Sequence, residues 1–243
     1  MTSTSDPNLL HPGRHRRRIL LFGGIGVAAY LLTLLATVPA RLFVPSDVPA
    51  LRAVSGTIWH GEVALPGGDR LTWRFAPLRT IASLAYAADL TVTGRTTDLA
   101  GRVALGRRMV RFDSVAGRAD GAFVAAVFPD LPFTCDLGLV IDIPRLAIGT
   151  EIPDAAGEIR SAPGRCTPRG GGTATAVPAL LATTRVAGTA TVVTITPPTQ
   201  RRQILARTRI DADGRVAITI PPAGARRFPF ASPPGGLSLE TTM

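Results

Sequence analysis

The sequence predicts one N-terminal transmembrane helix followed by a mostly β domain, a curved and largely antiparallel sheet interrupted by one or two short helices. Residues 19–38 form an uncharged apolar run of the length that crosses a bilayer core as a helix. From residue 52 on, short stretches that alternate polar with apolar residues are separated by Gly and Pro. This pattern is typical of strands joined by turns.

The residues around the apolar run predict its orientation. Arg14 and Arg16 to Arg18 stand before it, and such clusters stay on the cytoplasmic side, so the rest of the chain is expected beyond the membrane. A secretory signal peptide, a twin-arginine export signal and a buried soluble helix are the alternatives. The run exceeds the usual apolar part of a signal peptide, no Ser or Thr directly precedes the arginines, and a core helix rarely lacks a polar face. An uncleaved anchor is therefore favoured.

These patterns divide the chain into five parts. They are a cytoplasmic tail (1–18), a transmembrane helix (19–38), a linker (39–51), a β domain of nine to eleven strands (52–220) and a Pro/Gly-rich, irregular C-terminal tail (221–243). Strands do not alternate with helices, so a doubly wound nucleotide-binding fold is not expected. Five glycines inside the strand-like stretches predict bulges or bends: Gly56, Gly101, Gly117, Gly157 and Gly188.

The charge of the chain carries little functional information. All 27 basic residues are Arg, against 17 acidic residues, which gives a net charge of +10. Beyond residue 18 the arginines are scattered through apolar segments, and the few aromatic residues are not interleaved with them. A stacking surface for nucleic acid is therefore not expected.

The residue types that most enzymes need are nearly absent. His60 is the only histidine beyond the apolar run, and its place in a strand pattern favours a surface or packing role. Metalloprotease, CxxC and phosphate-binding loop motifs do not occur. The sequence therefore predicts an interaction module without catalytic residues, cofactor, metal or small-molecule substrate.

Two cysteines lie beyond the apolar run. Cys135 opens a strand-like stretch, and Cys166 lies in the Gly-rich segment 164–172, which we interpret as a loop. An extracytoplasmic pair can be oxidised, whereas two buried thiols are the other interpretation. We expect a disulfide, because the segments between the two cysteines could fold back and bring them together.

Residues 56–61, GTIWHG, are the most specific stretch beyond the apolar run. Gly56 and Gly61 permit a bend or a close approach at each end. Trp59 lies between them, and Trp73 comes from the adjoining strand, so the two rings could pack across strands. A structural role is favoured over a ligand site.

Together with Leu71, Thr72 and Trp73, this motif resembles the start of the periplasmic part of protein N of the bacterial type II secretion system (GspN). The motif residues that carry the resemblance are Gly56, Thr57, Trp59, Gly61, Leu71 and Trp73. That family has a basic cytoplasmic tail, one membrane helix and a β domain of similar order. Here Arg160 and Ser161 stand where the family often has a second aromatic residue.

The resemblance implies an inner-membrane, single-pass accessory component of the secretion machine, whose periplasmic β module binds other secretion components. Strand addition at a sheet edge is one way to bind them. The alternative is a periplasmic lipid-handling protein with acyl chains held on an apolar sheet face. A scaffold such as protein C of the same machine shares the topology but lacks the motif.

Overall fold

The structure, a computed structural model, describes residues 12–42, 54–107, 109–129, 131–149, 153–211, 213, 215–228 and 235–242, with side chains from residue 20 on. The helices are α1 (Pro12–Ala36), α2 (Pro77–Ser83), α3 (Gly121–Val127) and α4 (Pro222–Arg227), with a 3₁₀ turn at Ala40–Leu42. The strands are β1 (Val54–Gly56), β2 (His60–Ala64), β3 (Arg70–Phe75), β4 (Tyr86–Thr93), β5 (Asp98–Leu105), β6 (Val110–Ala119), β7 (Phe133–Asp136), β8 (Leu139–Ile148), β9 (Ala155–Ser161), β10 (Gly164–Pro168), β11 (Thr175–Val177), β12 (Leu180–Ala187), β13 (Ala190–Thr196), β14 (Ala206–Asp211), β15 (Arg215–Ile220) and β16 (Leu237–Thr242).

The β domain is built on one large antiparallel sheet. Thirteen strands follow one another in chain order, except that β7, β10 and β11 leave it and form a separate three-stranded sheet. Consequently β6 pairs with β8, and β9 pairs with β12. The described residues thus contain more strands than the nine to eleven expected, and three short helices rather than one or two.

The N-terminal helix forms, but the prediction that it spans a membrane is wrong. In the described part of the chain, no helix is long and apolar enough to cross a bilayer. The helix ends at Ala36, so its uncharged part, residues 19–36, extends about 27 Å at 1.5 Å per residue, short of a core of about 30 Å. Gly23, Gly24 and Gly26 further lower its apolar content. Its large apolar side chains, from Leu20 to Leu35, are all exposed.

The sheet has one apolar and one polar face, as the register shows. One row of opposed residues crosses the strands from β3 to β14 and consists of Leu71, Val92, Leu99, Gly117, Ile141, Ile159, Ala182, Ile195 and Ala206. The adjoining row points to the other side and includes Thr72, Thr91, Asp142, Glu158, Thr183 and Arg207. This two-faced pattern is usual for antiparallel sheets.

Two bulges interrupt the pairing, and each lies opposite a glycine. The register shifts between Ala100 and Arg102, where Gly101 faces an extra residue of β6, and again between Asp142 and Arg145, opposite Gly157. Bulges bend a strand and increase its twist. The two glycines thus mark irregular positions, as their place in strand-like sequence predicted.

Helix α3 covers part of the apolar face. Phe123 packs against a cluster that includes Val92, Leu99 and Ala119. The helix begins after Asp120, whose side chain accepts a hydrogen bond from the amide of Phe123 at 3.0 Å. Asp120 is therefore the N-cap of α3.

Asp120→Ala is expected to lower the free energy of unfolding by about 1 kcal/mol at pH 7. Hydrogen bonds from the Thr96 hydroxyl and then from backbone amides hold the pKa of Asp120 below its ordinary value. Because the pKa is lower in the folded state, the stabilisation is present above the unfolded pKa of about 3.9 and is lost as the pH falls through the folded pKa. Urea unfolding at pH 7 and pH 2 measures this, and a deficit of the same size at both values would contradict it.

The chain ends differ from the predicted division. The stretch 221–243, predicted as an irregular tail, contains α4 and the strand β16, which pairs with β15. Residues 12–18, predicted as part of a cytoplasmic tail, belong to α1. Residues 1–11, and residues 43–51 of the predicted linker, lie outside the described part of the chain.

Candidate functional site

The GTIWHG motif forms the tight connection between β1 and β2. The amide of Thr57 donates a hydrogen bond to the carbonyl of His60 at 2.8 Å, and the Thr57 hydroxyl accepts from the amides of Trp59 and His60 at 3.2 and 3.3 Å. A Thr side chain that bonds nearby amides in this way stabilises a turn. His60 itself is exposed, in agreement with the surface role expected for it.

Trp59 and Ile58 join this turn to the end of α1. The indole Nε1–H of Trp59 donates to the carbonyl of Leu35 at 2.9 Å, and the amide of Ile58 donates to the carbonyl of Val38 at 3.1 Å. The last carbonyls of a helix have no partner inside the helix, so the Trp59 bond satisfies one of them. Pro39 adds an isolated β-bridge to the motif. The motif therefore fastens the helix to the first hairpin.

A row of aromatic side chains continues this contact across the sheet. The ring of Trp59 meets Phe75 edge to face with centroids 4.7 Å apart, and Phe75 stacks on Tyr86 at 5.4 Å. Such pairs contribute about 0.5–1.5 kcal/mol each beyond their buried area. The partner of Trp59 is therefore Phe75 rather than Trp73, which the sequence suggested. The Tyr86 hydroxyl donates to the carbonyl of Ile58, and burial raises the pKa of Tyr86.

Trp73 lies over a glycine. Gly61 is directly opposite Trp73 in the β2–β3 pair, and a Cβ on Gly61 would lie 2.2 Å from the Trp73 ring and 2.4 Å from the Ser55 carbonyl oxygen. The ring thus fills the space that a side chain at residue 61 would need. Its Nε1–H donates to the carbonyl of Thr57 at 3.1 Å. Gly56, opposite Gly61, has a φ of +93°, which favours glycine.

The two cysteines are directly opposed in the small sheet. Cys135 of β7 and Cys166 of β10 form a disulfide, with their Cα atoms 4.0 Å apart. The hairpin of β8 and β9 brings β7 and β10 together, since it closes the chain between them. Cys166 lies in a strand, not in the predicted loop. It packs in a buried cluster with Val177, Leu205 and Phe228.

A cavity that the sequence did not reveal lies on the apolar face between β1 and β5. Its volume is about 480 Å³. The side chains that line it include Ile58, Leu71, Trp73, Leu90, Val103 and Leu105. Leu71 and Trp73, predicted as parts of the family motif, thus help to form its wall. Period-two alternation along each strand predicted that these side chains lie on one face of the sheet. Only the order of the strands in the sheet brings them together around the cavity.

The described residues contain no group of three or more His, Cys, Asp and Glu side chains that could hold a metal ion. The motif residues other than Leu71 come together as a joint between α1, β2, β3 and β4, whereas Leu71 packs on the cluster that includes Val92 and Leu99. The polar atoms of the joint bond one another and the backbone, and the apolar cavity lies beside them.

Trp59→Phe is expected to lower the free energy of unfolding by about 1 kcal/mol, because the carbonyl of Leu35 loses its donor while most of the ring contact remains. Trp59→Ala should cost about 3 kcal/mol, at the low end for Trp because the side chain is only half-buried. Urea unfolding checks both. Tyr86→Phe is the matched control, since it removes one hydrogen bond from the same row but none from the helix. If Trp59→Ala were as stable as the unchanged protein, Trp59 would not stabilise the contact between α1 and the first hairpin.

Comparison of the chain with protein-family models, with curated proteins and with solved structures gives no match.

Proposed function

We propose that this chain is an accessory component of the type II secretion system, whose β domain binds other secretion components in the periplasm. The resemblance of residues 56–61 and 71–73 to protein N of that system supports the proposal. The role is that of a binding module, with no reaction and no cofactor assigned to it.

The free edge of β16 is the observation that carries the binding role. β16 is the last strand of the thirteen-stranded sheet, and no further strand pairs with it among the described residues. Its sequence, LSLETT, contains neither Pro nor Gly, so its outer backbone groups are free to pair along the strand. Exposed edges of this kind attract additional strands unless they are blocked. An extended segment of a secretion component is the partner that this edge fits.

The disulfide between Cys135 and Cys166 supports a periplasmic location of the β domain. Bridges of this kind persist in oxidising surroundings such as the bacterial periplasm. We place the β domain there, at the periplasmic side of the inner membrane, where its partners in the secretion machine are located.

Copurification tests the proposal. A tagged chain, extracted from secreting cells in mild detergent, should recover another secretion component. Leu239→Lys, which adds a charge to the free edge, should reduce that recovery severalfold. Val140→Lys is the matched control, because Val140 is 52% exposed against 51% for Leu239 but lies in a central strand. Recovery of no secretion component, or equal losses in both variants, would contradict the proposal.

Lipid handling is the second candidate function, and the continuous apolar face of the sheet favours it. An apolar row crosses the strands from β3 to β14, and helix α3 covers only part of that face. Mass spectrometry of the purified chain tests this function directly: bound lipid is expected, and its absence would remove the candidate.

A further inference from the structure

The lining of the 480 Å³ cavity selects for an apolar ligand. Small-molecule sites commonly occupy 300–1,000 Å³ and have mostly apolar walls. Two polar side-chain groups belong to this wall, and both are already engaged. The Tyr86 hydroxyl donates to the carbonyl of Ile58, and the Trp73 indole donates to the carbonyl of Thr57. Their hydrogens are therefore not available to a polar ligand, whereas an acyl chain needs none.

Two exposed arginines follow residues of the cavity wall in the sequence. Ala40 and Leu105 both line it, and each is followed within two residues by an exposed arginine, Arg41 and Arg107. Neither arginine forms an ion pair within the described part of the chain. Arg side chains recognise phosphate well. An anionic head group at this rim would therefore complement an acyl chain inside.

We propose that the cavity binds one acyl chain of an anionic phospholipid, with the phosphate at Arg41 and Arg107. This inference rests on the second candidate function and deepens it, and it does not depend on a role in secretion. It assigns Trp73 a second role, since its side chain forms part of the cavity wall and also donates to Thr57 in the joint.

Photolabelling of the full chain tests the site. The probe is phosphatidylglycerol with a diazirine on its acyl chain, presented in vesicles, and the labelled peptides are identified by mass spectrometry. Label is expected on β3 to β5. Leu90→Trp, which fills the cavity, should reduce it about tenfold. Ile195→Trp is the matched control, because Ile195 is also half-buried and lies on the same face at β13. Leu105→Trp serves as a second variant if Leu90→Trp does not fold, since Leu105 is 43% exposed and tolerates a larger side chain better.

A second comparison tests the head group. The chain should label more strongly with the phosphatidylglycerol probe than with a phosphatidylcholine probe. The double variant Arg41→Gln and Arg107→Gln should lose this preference and keep its labelling by phosphatidylcholine. A preference that survives the double variant would overturn the assignment of the rim.

Label confined to α1, or equal labelling of Leu90→Trp and Ile195→Trp, would overturn the cavity as the site. If lipid still copurifies with the chain in that case, lipid handling stands and only the site is wrong. If neither bound lipid nor label on the sheet is found, the proposed acyl-chain site and the lipid-handling function are both wrong.

Discussion

Gly61→Ala is expected to lower the free energy of unfolding by about 3 kcal/mol, among the largest effects of a single methyl group in this chain. The added Cβ would lie 2.2 Å from the Trp73 ring and 2.4 Å from the Ser55 carbonyl oxygen. The carbonyl belongs to the paired backbone of β1 and cannot move independently. The ring can move only by giving up its hydrogen bond to Thr57. Equilibrium unfolding in urea measures the loss.

Gly138→Ala is the matched control for this change. The nearest atom to a Cβ on Gly138 is the Ala162 Cβ at 3.9 Å, an ordinary contact. This variant should be as stable as the unchanged protein or slightly more stable, because alanine restricts the unfolded chain. If both variants lost the same stability, the close packing of Trp73 on Gly61 would not be the cause.

Replacement of both cysteines by alanine is expected to lower the free energy of unfolding by about 3–4 kcal/mol in the chain-entropy description of crosslinks. The bridge closes a loop of 31 residues, and that loop contains β8 and β9, which pair with strands on both sides. Without the bridge, β7 and β10 are held together by their strand pairing and by the buried cluster around residue 166. Urea unfolding of the oxidised protein and of the double alanine variant measures the difference.

Dithiothreitol supplies the control for the cysteine variant. The reductant should lower the stability of the oxidised protein by a similar amount and leave the double alanine variant unchanged. Alkylation before and after reduction, read by intact mass, shows the state of the thiols. Two free thiols in periplasmic protein, or a loss below about 1 kcal/mol, would contradict the predicted contribution of the bridge.

Local sequence patterns predicted the positions of the strands better than the number of strands. Alternation located most strands, and Gly101 and Gly157 located the bulges. Residues 185–196 (RVAGTATVVTIT) have the composition of a single strand, but the structure divides them at a turn of Gly188 and Thr189 between β12 and β13. Apolar and β-branched residues on both sides concealed this turn, because a single Gly inside such a run also fits a bulge.

The contacts of the joint could not be predicted, because they depend on distance in space rather than on spacing in sequence. The Trp59 indole finds its acceptor at Leu35, 24 residues earlier. Phe75 becomes its ring partner because β3 follows the turn of the motif, a placement that no local pattern specifies. The apolar cavity was missed because its wall combines side chains from five successive strands with Ala40 and Ile58.

The apolar run 19–38 illustrates the limit of length as a criterion. Its lack of charge predicted a helix, and a helix is present. The prediction of a membrane span depended on continuous apolar residues to Val38, whereas α1 ends at Ala36 and includes three glycines between residues 23 and 26. Helix formation and membrane crossing are separate properties, because the second also requires length and hydropathy.

Photo-crosslinking in secreting cells tests the central claim, that the free edge of β16 binds a partner while the GTIWHG motif is an internal joint. A photoreactive residue is placed at Ser238 or Glu240 on the edge, at His60 in the motif, and at Gly170 in an open turn as control; all four positions are exposed. We expect adducts with a secretion component from the two edge positions and only background from His60 and Gly170. Adducts from His60 without any from Ser238 or Glu240 would contradict the account and make the motif the binding site.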